Sequence, residues 1–101
     1  MYGLIVKLMV VPGAREKMIG ILRQSAADMP GCLSYVVAED ANDEAVLWVT
    51  EVWDSQANHD ASLSLPAVRG AMLQANAIIA TFEKVAVMNP VWGVGLTNRQ
   101  L

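Results

Sequence analysis

Cysteine, histidine and phenylalanine each occur once in this sequence, and only 17% of the residues are charged. The lone Cys32 excludes an internal disulfide and suits a reducing compartment, so a cytoplasmic protein is expected. With no companion cysteine and one distant histidine, His59, a standard zinc cluster is not expected. Seven Lys and Arg against ten Asp and Glu leave a net charge of −3, which offers nucleic acid no basic footprint. No apolar run reaches the roughly 18 residues that would suggest a membrane span. The opening "MYGLIVKLMVVPG" carries no basic segment ahead of its apolar stretch and no A-x-A-like site after it, so it reads as a strand rather than a signal peptide. Glycine-rich phosphate loops, H-E-x-x-H and G-x-S-x-G are all absent. An enzyme built on this chain is therefore expected to work with no resident cofactor and no metal.

What is present is apolar: 54% of 101 residues are hydrophobic, too many for a disordered chain and enough for one domain over residues 1–101. A domain this small leaves apolar surface exposed, and a homodimer is the ordinary way to bury it. The patterning predicts the elements in turn. "YGLIVKLMVV" (2–11) ends at Pro12-Gly13 and reads as a strand. Met18, Ile21, Leu22, Ser25, Ala26 and Met29 recur at helical spacing, which "MPGC" (29–32) stops. "LSYVVAED" (33–40) and "AVLWVTEVW" (45–53) predict a hairpin around "DANDE". Asp54-Ser55 caps a short helix, and Pro66 opens another whose apolar face is expected to continue through Val68, Met72, Ala75, Ile78, Ile79 and Phe82. "TFEKVAVMNPVWG" (81–93) predicts a fourth strand, with Pro90 at its edge or end. The order β-α-β-β-α-β predicts a ferredoxin-like α+β fold, in which an antiparallel four-stranded sheet carries its helices on one face.

Polar side chains concentrate in "VTEVWDSQANHDASL" (49–63). His59 is the only side chain whose ordinary pKa lies near neutrality, which makes it the candidate for proton transfer. On a helix it shares a face with Ser62, whereas Asp60 is expected to point elsewhere into solvent. A lone histidine near a helix start is, on its own, more often an exposed or capping residue. Trp48 and Trp53 differ by five positions and so face opposite sides of one strand, with Glu51 on the face of Trp53. Tyr35 has a phenol able to hydrogen-bond a ligand, although a strand tyrosine inside a sheet is equally ordinary. Lys7 interrupts an apolar strand, either lining a cavity or snorkelling along the surface.

"KLMVVPGAREKM", "PGCLSYVVAEDANDEAVLWVTEVWDSQANHDASLSLPAVRGAM" and "NPVWGVGL" together resemble the antibiotic biosynthesis monooxygenase-like family, and within it the quinol monooxygenase subgroup. The two Pro-Gly pairs and the E-x-W-D-S step carry most of the likeness, which runs along nearly the whole chain. The resemblance implies a dimeric α+β barrel whose two sheets face one another. It implies oxidation of a quinol or polycyclic phenol by O₂ without flavin, haem or metal. His59 and Ser62 would then be catalytic, the histidine as proton acceptor and the serine as auxiliary donor, with Trp53, Tyr35 and Glu51 binding substrate. A non-catalytic dimer that binds a small aromatic or lipophilic ligand is the competing expectation, because one fold hosts both. The haem-degrading branch places asparagine, tryptophan and histidine where this chain has Val6, Ser62 and Met72, so haem degradation is disfavoured.

Overall fold

Alternation decides the centre of the sheet. In the computed structural model, which describes residues 1–96, strand β1 (Tyr2–Val10) buries Tyr2, Leu4, Val6, Leu8 and Val10 on one face. Strand β3 (Val46–Trp53) lies antiparallel beside it, and Leu47, Val49 and Trp53 join that face. Strand β2 (Cys32–Glu39) pairs with the other edge of β3, and strand β4 (Ile79–Met88) with the other edge of β1, giving the order β2-β3-β1-β4. This is the expected ferredoxin-like α+β fold, with a four-stranded antiparallel sheet. The last five residues of the expected 1–101 domain lie outside the described residues.

Helices α1 (Arg15–Ser25), α2 (Gln56–Ser62) and α3 (Pro66–Asn76) share the buried sheet face. Met18 and Ile21 of α1 and Ala75 of α3 pack with Val6, Leu8, Leu47 and Val49 in one core cluster. Tyr2, Leu4 and Trp53 form a second cluster, with Met29 and Cys32 against it. Burial of such side chains contributes about 1.5–3 kcal/mol each, so β1 and β3 anchor the domain.

Three boundaries depart from the sequence reading. Helix α1 stops at Ser25 rather than reaching Met29; at its end the Leu22 carbonyl accepts from both the Ser25 hydroxyl (2.9 Å) and the N–H of the capping residue Ala26. Helix α3 stops at Asn76: Ile78 lies in the connection, and Ile79 and Phe82 belong to β4, opposite Val10 and Leu8 of β1. The fourth strand ends at Met88, short of Pro90, so Val91, Trp92 and Val94 lie beyond it and exposed.

Glycine 31 locks the corner on which α2 is mounted. Its φ is +86°, and a Cβ there would lie 2.7–2.8 Å from the Asn58 side chain and the Asp54 carboxylate. Its carbonyl accepts from the Asp54 N–H at 2.9 Å, which ties the start of β2 to the end of β3. At the opposite end of the hairpin, Asp40 accepts from the Trp48 indole N–H (2.8 Å) and from the backbone N–H groups of Asn42 and Asp43. The indole bond, then the backbone donors, hold its carboxyl below the usual aspartate range. Lys7 stands over the Trp48 ring, 5.6 Å from its centre, so both decorate the sheet face away from the helices.

Candidate active site

Between the helices and the sheet lies a cavity of about 570 Å³ with a largely apolar lining. Met18 and Ile21 of α1, Leu4 and Val6 of β1, and Val68 and Ala71 of α3 supply much of its wall. Leu63, Met72 and Phe82 also line it while remaining about half exposed, so its mouth lies between α3 and β4. All five side chains expected to form the site, Tyr35, Glu51, Trp53, His59 and Ser62, border this one cavity.

His59 reaches it because of the corner described above. Ser55 caps α2 by accepting from the Asn58 N–H (3.1 Å), and the Asn58 amide donates to Asp54 at 2.8 Å. The next residue turns inward and is only 9% exposed. Its ring meets the Trp53 indole edge-on, with centres 5.5 Å apart, and lies 5.3 Å from the Tyr2 ring. Asp60 is exposed to solvent as expected, but its carboxylate does not point away from the ring and lies 3.0 Å from His59 Nδ1. A carboxylate only accepts, so this contact is a hydrogen bond when His59 Nδ1 is the nitrogen that carries the hydrogen.

Ser62 is buried, and its hydroxyl donates to the His59 carbonyl at 2.6 Å. Its one hydrogen is thereby engaged within the helix, leaving lone pairs as what it offers the cavity. Trp53, 1% exposed, donates from its indole N–H to Glu51 Oε1 at 2.9 Å. Glu51 faces Tyr35 directly across the β2–β3 ladder. Burial first, then the negative charge of Glu51 and then Cys32, push the Tyr35 phenol well above the ordinary tyrosine range. Tyr35 therefore stays a neutral O–H group at physiological pH.

Sequence reasoning missed several wall residues. Ser25, Asn76 and Lys84 border the cavity, and Tyr2 supports His59 from behind. Tyr2 was legible in principle, since strand parity places it with Leu4 and opposite Trp53. Lys7 and Trp48 are not part of the site. Among the described residues, no group of three His, Cys, Asp or Glu side chains is placed to share a metal ion.

An apolar cavity between helices and sheet, with a buried imidazole on its wall, is the kind of concave site in which small molecules are commonly held. A model of the antibiotic biosynthesis monooxygenase family matches residues 1–73. The chain belongs to that family. A crystal structure of a Chloroflexus aurantiacus protein assigned to antibiotic biosynthesis monooxygenases is 48% identical, with a TM-score of 0.90 over 94% of this chain and 97% of that one. Similarly assigned proteins from Nitrosomonas europaea (14% identity, TM-score 0.82, 91% of this chain and 100% of that one) and Deinococcus radiodurans (21%, 0.78, 92% and 95%) share the fold. No curated protein matches the sequence.

Proposed function

We propose that this protein is a cofactor-independent monooxygenase that oxidises a quinol or polycyclic phenol with O₂. The observation that carries the reading is the chain's only histidine, buried in the wall of an apolar cavity with its Nδ1 bonded to a carboxylate. Nε2 accepts the phenolic proton, so the O–H bond breaks and an electron-rich anion remains in a dry site. The anion gives one electron to O₂, and the radical pair recombines at the ring carbon to form a peroxide. Loss of water leaves a carbonyl, so a CH₂ of an anthrone-type substrate and one O₂ become C=O and H₂O. Trp53 supplies an aromatic wall, and Tyr35 and Glu51 supply a hydrogen-bond donor and acceptor for ring oxygens. Val6 and Met72 face the cavity as apolar wall and give a haem iron no nitrogen ligand.

In this reading two chains pair through the helix-free sheet face, where Val36 is exposed and Lys7 covers Trp48. The exposed Val91, Trp92 and Val94 beyond β4 suit a tail that crosses to the second copy. No described helix is long and apolar enough to cross a membrane, and the single cysteine suits work in the cytoplasm.

Oxygen uptake by metal-stripped protein with a panel of quinols and hydroxylated anthrones tests the proposal, with spontaneous autoxidation subtracted. Uptake above background that His59→Gln removes is the expected result. A second reading is favoured by one observation: Trp53 with Glu51, and Ser62 with the His59 carbonyl, already satisfy one another, as in a pocket that only holds its ligand. Saturable binding of the same compounds without uptake would replace catalysis by binding.

A further inference from the structure

We propose that Asp60 is the positioning residue of the proton-transfer site, holding His59 in the tautomer that presents a bare Nε2 to the cavity. The inference rests on the monooxygenase reading for its catalytic consequence, but on geometry alone for the tautomer. An isolated neutral imidazole prefers to carry its hydrogen on Nε2, which would leave it no lone pair to receive a phenolic proton there. Here the Asp60 carboxylate, 3.0 Å from Nδ1, claims the hydrogen for that nitrogen. The ring cannot easily turn away, because the Trp53 edge and the Tyr2 ring pack against it. Those two come from β3 and β1, so three elements fix the orientation of one side chain.

The charged and titratable groups around the ring support this assignment. Asp60 comes from its own helix, and Tyr2, from β1, presents a phenol ring. Glu51 of β3 is engaged by the Trp53 indole N–H. Asp60 is therefore the carboxylate bonded to the imidazole. It is 60% exposed, so it occupies the solvent side of the ring while His59 itself lines the cavity. When Nε2 takes the substrate proton, the substrate O–H bond is exchanged for an Nε2–H bond. The resulting imidazolium is paired with the carboxylate already in place, and no other group need move.

Because the chain has a single histidine, the untagged protein labelled with ¹⁵N gives one imidazole signal set in a long-range proton–nitrogen spectrum. The wild type is expected to show Nδ1 protonated and Nε2 bare in the pH range where the ring is neutral. Asp60→Ala is expected to move the hydrogen to Nε2, and Asp60→Asn to retain the wild-type tautomer in part, through its amide oxygen. Oxygen uptake should fall on the order of 10-fold in kcat for Asp60→Ala with KM little changed, less than the 10²–10⁴-fold of the acid–base step itself, and recover in part in Asp60→Asn. A wild-type ring protonated on Nε2, or a tautomer unchanged by Asp60→Ala, overturns the proposal. So does a switched tautomer with undiminished kcat. If no substrate supports oxygen uptake, the functional reading fails, while the spectrum still decides what Asp60 does to His59.

Discussion

Replacing Gly31 by alanine should loosen the corner that aims His59, and its cost can be worked out in two parts. The first is conformational: φ is +86° at Gly31, and a Cβ in left-handed backbone costs about 1–2 kcal/mol. The second is steric. The new methyl would sit 2.7 Å from Asn58 Nδ2 and 2.8 Å from the Asp54 carboxylate, so the Asn58–Asp54 hydrogen bond must open or shift. That bond is exposed, and losing it costs about 0.5–1.5 kcal/mol. The sum is about 1.5–3.5 kcal/mol. Gly13 provides the internal control, since its φ is +79° but nothing lies within 4 Å of the position a Cβ would take. Gly13→Ala should therefore show the conformational part alone. Urea unfolding of both variants, read by tryptophan fluorescence, should rank Gly31→Ala as the more destabilised by about 1 kcal/mol. Equal costs would mean that the Asn58 amide swings away freely and that the corner does not constrain α2.

Three further outcomes follow from the same geometry. Trp53→Phe removes the indole donor to Glu51 and leaves a void beside His59; thermal or urea melts should show a loss of about 2–3 kcal/mol, and a change under 0.5 kcal/mol would contradict the Glu51 bond. Tyr35 has its folded pKa raised, so the contribution is intact below about 10, the ordinary tyrosine value, and is lost as pH rises from there towards the folded value. Stability should fall above about pH 10, by up to about 1.4 kcal/mol per pH unit from this group, and an alkaline limb unchanged in Tyr35→Phe would refute the assignment. Light scattering should give the mass of two chains, and Val36→Glu, placing a charge on the helix-free face, should shift dilute protein to one chain. A monomeric wild type would remove the sheet-to-sheet pairing.

The parts of the fold legible in sequence were those with one dominant period. Strand parity put Trp48 and Trp53 on opposite faces with Glu51 beside Trp53, because side chains alternate with a period of two, but which face meets the helices came only from the structure. The α3–β4 boundary was not legible, since Ile78, Ile79 and Phe82 satisfy helical spacing as well as strand composition. Pairing with Val10 and Leu8 decided it, and such partners are remote in sequence. The early end of α1 was not legible, because Ala26 and Met29 continue the helical spacing past the point where the helix stops. At the site, the rarity of histidine drew attention to a residue that the structure places in the cavity wall. Asp60 escaped because adjacent helical positions diverge, and only the side-chain torsions bring its carboxylate back to Nδ1. The cavity volume was equally hidden, being what remains when α1, α2 and α3 meet the sheet.

The most direct test of cofactor-free monooxygenation is a turnover under ¹⁸O₂ with a hydroxylated anthrone and metal-stripped protein, analysed by mass spectrometry. One ¹⁸O in the new quinone carbonyl, formed at a rate that His59→Gln reduces to the autoxidation background, is the predicted result. Substrate recovered unchanged, or quinone whose new oxygen comes from water, would contradict it.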